Sequence, residues 1–276
     1  MSFRIATNVQ SLIGQRHLST NVSNQQTNLE RLSSGSRINK AADDAAGLAI
    51  SEQMKATIRS VRQNVRNASD GISLVQVAEG AMNEIGNILI RMRELSIQGA
   101  SDTIGDRERG FIDKEVQQLK DEVNRISGST RFNDTKLLQG DDKLEIQVGT
   151  GNDDRSDRIV FDVSKAQTDT SVLGIDDLST KTKEDSQNNL ESVDNAIRRL
   201  TENRAELGAT QNRLQSTINN LKIYDENLSI SKSRIRDTDF AEVTADLTKD
   251  NILSQASTAV LSQANQNNTL ALRLIG

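Results

Sequence analysis

The chain has 276 residues and a formal net charge of -5, and only 2% of it is aromatic, with one Tyr and no Trp. A thick layered core built on large aromatic side chains is excluded, so apolar contacts fall to Leu, Ile, Val and Ala. With 26% charged residues and no Pro, the composition fits long helices joined along narrow apolar seams, and its acidic balance gives no reason to bind nucleic acid or an anionic membrane.

The absence of Cys excludes disulfides and thiolate metal sites without naming a compartment. The start, Met1-Ser2-Phe3-Arg4-Ile5, has no basic segment and apolar run of a cleaved secretory signal, and no stretch of 18 apolar residues is present. Export would therefore use an uncleaved signal, and no membrane insertion is expected.

In chain order, Ile5, Val9, Leu12, Leu18, Val22, Leu29 and Leu32 recur at three- and four-residue spacings, which predicts an amphipathic helix over about 5–32. Its seam is interrupted by Gln and Asn, so it needs a partner. Ser33-Ser34-Gly35-Ser36 breaks the pattern, and Asp43 or Asp44 offers an N-cap for a longer helix. That helix carries Met54, Ile58, Val61, Val65, Ala68, Ile72 and Val75 and then, after a phase slip, Ala78, Met82, Ile85, Leu89 and Met92, which is coiled-coil spacing.

After a turn near Gly99 to Gly105, a shorter helix is predicted from Ile112, Val116, Leu119, Val123 and Ile126. From Lys143 the period becomes two, with Leu144, Ile146 and Val148 facing Ile159, Phe161 and Val163 across a polar turn, a small β-hairpin. Residues 164–183 are polar and aperiodic and read as a flexible surface connection. The helical period returns in Leu190, Val193, Ile197, Leu200, Leu207, Leu214, Ile218, Leu221, Leu228 and Ile235, and a last helix follows with Phe240, Val243, Leu247, Leu253, Ala256, Val260 and Ala264, ending in Leu270, Leu272, Leu274 and Ile275. The fold class is mainly α: a long coiled-coil-like helical bundle formed by both chain ends, rod-like, with a small β-hairpin element.

Arg31-Leu32-Ser33-Ser34-Gly35-Ser36-Arg37-Ile38-Asn39, followed by Ala42-Asp43-Asp44-Ala45-Ala46-Gly47-Leu48-Ala49-Ile50, closely resembles the N-terminal signature of bacterial flagellins. Arg91-Met92-Arg93-Glu94-Leu95, Phe132-Asn133-Asp134-Thr135-Lys136-Leu137-Leu138, Ser233-Arg234-Ile235-Arg236-Asp237-Thr238-Asp239-Phe240-Ala241 and Ala256 to Gln266 agree in order and position. The resemblance covers about 1–163 and 183–276 and implies a short form with the inner domains only, lacking the hypervariable outer domains. The expected organisation is an N-terminal filament-core helix and spacer (1–40), the N-terminal half of a rod domain with the hairpin (41–163), a variable connection (164–183), the C-terminal half of the rod (184–236) and a C-terminal filament-core helix (237–276).

The resemblance further implies a structural subunit of the flagellar filament that serves swimming motility and leaves through the flagellar type III apparatus. The terminal helices, through Ile5, Val9, Leu12, Leu29, Leu32, Val243, Leu247, Leu253, Val260 and Leu270, would line the filament core and order on assembly. Arg91, Leu95 and Glu115 would form a subunit interface that similar flagellins present to a vertebrate Toll-like receptor. Implied partners are the chain itself, alone or beside other flagellins, an export chaperone on the C-terminal helix, and filament cap and hook-junction proteins. The filament would be extracellular, with a sheathed or periplasmic variant left open.

Chemistry-bearing residues are sparse. A lone His17 without Cys assembles neither a usual zinc site nor a His-dependent triad. Asp141, Asp142, Asp153, Asp154 and Asp157 lack the ligand spacing and closing Glu of a calcium loop, and Gly149-Thr150-Gly151 lacks the Lys-Ser/Thr of a phosphate loop. No enzyme and no cofactor is expected. Arg59, Arg62 and Arg66 form a stripe that reads as a solvated face or a contact with a neighbouring subunit. Arg204, Gln211, Asp225 and Lys232 sit in seam positions, where polar groups fix register or permit switching between packings. A hook-filament junction protein and a chemoreceptor-type coiled coil remain as alternative readings.

Overall fold

The computed structural model describes residues 7–275, with side chains described for residues 7–266. Helix α1, Val9–Ser34, starts where the Asn8 side chain accepts the Ser11 N–H at 3.0 Å and ends at Gly35, whose φ of 66° is the left-handed conformation that glycine adopts freely. Helix α2 spans Ala45–Gly99. Of its two candidate caps, Asp44 accepts the Gly47 N–H at 2.9 Å, whereas Asp43 accepts the N–H groups of Asn39 and Lys40 at 3.0 and 2.9 Å and closes the preceding loop. Helix α3 follows at Asp106–Ser129.

Two small antiparallel ladders come next: β1, Arg131–Phe132, with β2, Thr135–Lys136, and β3, Lys143–Gln147, with β4, Arg158–Asp162. The first is an addition to the expected elements. Asn133 and Asp134 make its two-residue turn with φ of 46° and 68°, the paired left-handed conformations a tight hairpin requires and Asn and Asp tolerate. The second has the expected partners, Leu144 opposite Phe161 and Ile146 opposite Ile159. A 3-10 turn at Val163–Ala166, a single helical turn α4 at Thr170–Leu173, and helices α5, Lys183–Arg236, and α6, Phe240–Ile275, complete the order. Asp239 caps α6 by accepting the Ala241 N–H at 2.9 Å.

The chain forms two compact units, residues 59–226 and residues 1–58 with 227–276. In the first, the seam expected on α2 is the core: Val61, Ala68, Val75, Ala78, Met82, Ile85, Leu89 and Met92 are buried. From Ala68 to Met92 they pack with Val116 and Val123 of α3 and with Val193, Leu200, Leu207, Leu214 and Ile218 of α5. The hairpin closes on this core through Ile159 and Phe161, and Ile146 lies so near Gly71 that a Cβ there would sit 2.6 Å from its Cδ1. Glycine lets the strand approach the helix.

The stretch 164–183 corrects the expectation of a flexible surface connection. Ala166, Leu173, Ile175 and Leu178 are buried in the same core, with Thr168, Thr170 and Thr180. Polar bonds tie the backbone down: Asp113 accepts the Thr180 N–H at 2.9 Å, Asn124 accepts the Thr170 N–H at 3.1 Å, and the Leu178 carbonyl accepts from Gln117 at 2.9 Å. Most of the stretch's apolar residues and three of its threonines turn inward, while Ser164, Lys165, Ser171, Asp176, Asp177, Lys181 and Thr182 stay exposed.

Two of the polar seam positions, Arg204 and Asp225, find partners there. Asp225 receives Arg62 at 3.0 Å and Arg204 lies 3.9 Å from Glu79, while Gln211 is half-buried. Of the arginine stripe, Arg62 reaches across to Asp225 of α5, and Arg66 donates to Gln63 on its own helix.

Candidate assembly interface

In the second unit α1 and α6 run antiparallel, and the polar and small side chains lie between them. Asn8 donates to the Ala264 carbonyl at 3.0 Å, Asn21 to Ser257 at 3.1 Å, Gln25 to Asn251 at 2.6 Å and Asn28 to Asp250 at 2.9 Å. Ser11 and Gly14 are buried with them, and a Cβ on Gly14 would sit 3.9 Å from the Leu261 Cβ. The linkers are joined as well, through Arg37 N–H to the Arg236 carbonyl at 2.6 Å and Thr238 N–H to the Gly35 carbonyl at 3.0 Å. Arg236 pairs with Glu52 and Lys40 with Glu30.

The apolar stripe therefore does not form the seam that its periodicity suggested. Leu12 is 56% exposed and Val260 61%, and Val9, Ile13, Val22, Leu29, Ile252 and Leu253 are exposed too. Leu32 and Leu247 are half-buried and Val243 is buried. Ile5 lies outside the described residues, and Leu270 lies in α6 with its side chain outside them. A cavity of about 520 Å³ opens between the two helices, walled by Ile13, Leu253, Ala256 and Val260 with His17 at its edge. Amides and hydroxyls buried in the pair satisfy one another, while each apolar side chain left outside forgoes roughly 1.5–3 kcal/mol of burial.

The other expected surface divides. Arg91 on α2 is exposed and holds Glu115 on α3 at 2.9 Å and Glu94 at 3.1 Å, and these carboxylates raise its pKa. Leu95 is only 2% exposed and belongs to the core of residues 59–226, so its place in a contact surface is corrected. Three residues beyond Met92, it continues the α2 seam inward.

Among the described residues no group of three or more His, Asp or Glu side chains could hold a metal ion, and no helix is long and apolar enough to cross a membrane.

Residues 5–143 match the model of the bacterial flagellin N-terminal helical region, and residues 190–275 that of the bacterial flagellin C-terminal helical region. The chain is 42% identical over 271 residues to a flagellin of Halalkalibacterium halodurans, covering 97% of this chain and 98% of that one. The chain belongs to the bacterial flagellin family. A flagellin of Bacillus subtilis is 40% identical over 306 residues, covering 99% of each chain. The crystal structure of Bacillus cereus flagellin is similar with a TM-score of 0.51 at 32% identity, over 56% of this chain and 88% of that one.

As a flagellin, the chain is a structural filament subunit of the bacterial flagellum that polymerises with other flagellin subunits outside the cell, and not an enzyme. Between the two matched regions it carries the hairpin and the packed stretch 164–183, with no large outer domain.

Proposed function

We propose that the α1–α6 pair, within residues 1–40 and 237–276, is the part of the subunit that lines the filament core, and that it becomes fully ordered only when neighbouring copies cover its outward apolar faces. The observation that carries this reading is the inverted pair: Leu12 and Val260 are 56% and 61% exposed while Asn28 and Asp250 are 8% and 7% exposed. Helices held to each other mainly by exchanged polar bonds are marginal alone, because such bonds contribute little net free energy against water. Adding copies buries the apolar stripes, so folding and polymerisation are linked by mass action. A contact that repeats without closing on itself extends as an open helical filament.

On this reading residues 41–163 and 184–236 are the two halves of the rod domain, joined by 164–183. Arg91 and Glu115 belong to a surface between subunits and to the receptor-like patch of similar flagellins, without Leu95. Before export the outward face of α6 suits a chaperone, which would shield the same apolar residues; cap and hook-junction proteins would meet the subunit at the filament ends.

Seeded elongation tests the reading. Purified monomer is added to short filament seeds and followed by electron microscopy and circular dichroism. Wild-type protein should elongate with a gain in helix signal, and Val260→Asp should stay a folded monomer. Normal filaments from Val260→Asp would overturn it.

A further inference from the structure

A cavity of about 620 Å³ lies between the turn of the β3–β4 hairpin and α5, wholly within residues 59–226. That volume falls in the range of small-molecule sites and far exceeds the space of a single ion. Its base is apolar: Val148 and Ile159 at the hairpin are buried, and Leu221 of α5 is half-buried. Three arginines line it, Arg155, Arg158 and Arg213, and among the described residues no Asp or Glu does, in a chain whose formal net charge is -5.

The polar groups of the lining divide into committed and free ones. Arg158 is held by Glu145 at 2.9 Å and Asp154 at 2.7 Å, so its charge is matched within the hairpin. Among the described residues no side-chain hydrogen bond or ion pair engages Arg155, from the hairpin turn, or Arg213, from α5. Asn212, Ser216 and Asn220 recur at four-residue steps, so α5 turns one polar face to the cavity. Their side chains also have no hydrogen-bond partner among the described residues. Two free cations from separate elements, an apolar base and uncommitted amide and hydroxyl groups suit a ligand that carries both an oxyanion and hydroxyl groups.

We propose that this cavity binds an anionic saccharide, its carboxylate or sulfate held by Arg155 and Arg213, its hydroxyl groups by Asn212, Ser216 and Asn220, and the C–H face of its ring by Val148 and Leu221. Guanidinium groups recognise such oxyanions through paired N–H donors. A nucleotide fits less well, because no aromatic side chain lines the cavity to stack on a base. A bare inorganic ion would leave the amides, the hydroxyl and the apolar base without contacts. The inference goes beyond the role proposed for α1 and α6 and does not depend on it.

Titration of the full-length monomer, followed through its amide NMR signals, tests it. Glucuronate and a sulfate ester of glucose are the anionic probes, glucose the neutral one and inorganic sulfate the bare ion. Saturable shifts centred on the Val148, Gly149, Ser216 and Asn220 amides are expected with at least one anionic sugar, and which one responds distinguishes carboxylate from sulfate. Arg155→Gln and Arg213→Gln should each weaken that binding at least about tenfold, while Arg198→Gln, outside the cavity, should leave it unchanged. Both arginines are exposed, so their variants should fold, which circular dichroism checks. Glucose binding as tightly as the anionic sugars would overturn the inference. So would inorganic sulfate doing the same, which marks an adventitious ion only, or the absence of saturable shifts at these amides. No step requires polymerisation, so failure here leaves the α1–α6 reading standing, and loss of elongation in Val260→Asp bears only on the terminal helices.

Discussion

Replacing Leu95 by Ala separates a core residue from a contact residue. Leu95 is 2% exposed and lies in the cluster that includes Leu89, Met92, Ile112 and Val116. Truncating a Leu in such a setting removes its transfer free energy and leaves a cavity that the neighbours refill only in part, at a cost of about 2–5 kcal/mol. For a unit spanning residues 59–226, each kcal/mol lowers the midpoint of thermal unfolding by about 2–4 °C, so the expected drop is about 4–20 °C. Circular dichroism of the monomer reads it. Arg91→Ala, by contrast, breaks solvent-exposed ion pairs with Glu115 and Glu94 and should cost no more than about 1 kcal/mol. A Leu95→Ala melt that matches wild type would refute the core placement and return this side chain to the surface.

Three further outcomes follow from named contacts. A protein without Cys given Gly14→Cys and Leu261→Cys should form an intramolecular disulfide on mild oxidation, because the two Cβ positions lie 3.9 Å apart and disulfides favour about 3.8 Å; persistent free thiols would contradict the α1–α6 register. Asp250→Ala should leave the buried Asn28 amide without its acceptor, at about 1–3 kcal/mol, and raise the critical concentration for polymerisation about 5–150-fold, while Asn28→Leu combined with Asp250→Leu should recover most of the loss. The Arg93 hydrogen bond and charge hold the Asp194 carboxyl below its ordinary 3.8. Its contribution is thus present above that value and lost as pH falls through the lower folded one, so Asp194→Asn should show a smaller drop in melting temperature than wild type between pH 5 and pH 3.

How far the sequence could be read depended on whether burial left a period. On α2 and α5 the core side is apolar at three- and four-residue steps, so Val61 to Met92 and Val193 to Ile218 were legible, as was the two-residue alternation of the β3–β4 hairpin. Leu95 carries the same signal, three residues after Met92, and its burial was there to be read. The stretch 164–183 left no period because its buried residues sit in turns and its threonines bond to neighbouring elements; the hint was the cluster of Leu173, Ile175 and Leu178 in an otherwise polar run. For α1 and α6 the period identified an apolar stripe but not the direction it faces. Nothing in spacing alone says that Asn21, Gln25 and Asn28 turn toward α6 while Val22 and Leu29 turn away. On the proposed reading that direction is set by neighbouring copies, which the sequence of one subunit does not describe.

The most direct measurement is therefore the accessibility of that stripe before and after assembly. With no native Cys, Val260→Cys carries the only thiol, and its reaction with a maleimide can be timed in monomer and in filaments grown from wild-type seeds. Rapid labelling of the monomer and strong protection in the filament are expected if neighbouring copies cover the outward faces of α1 and α6. Equal labelling rates in the two states would contradict it.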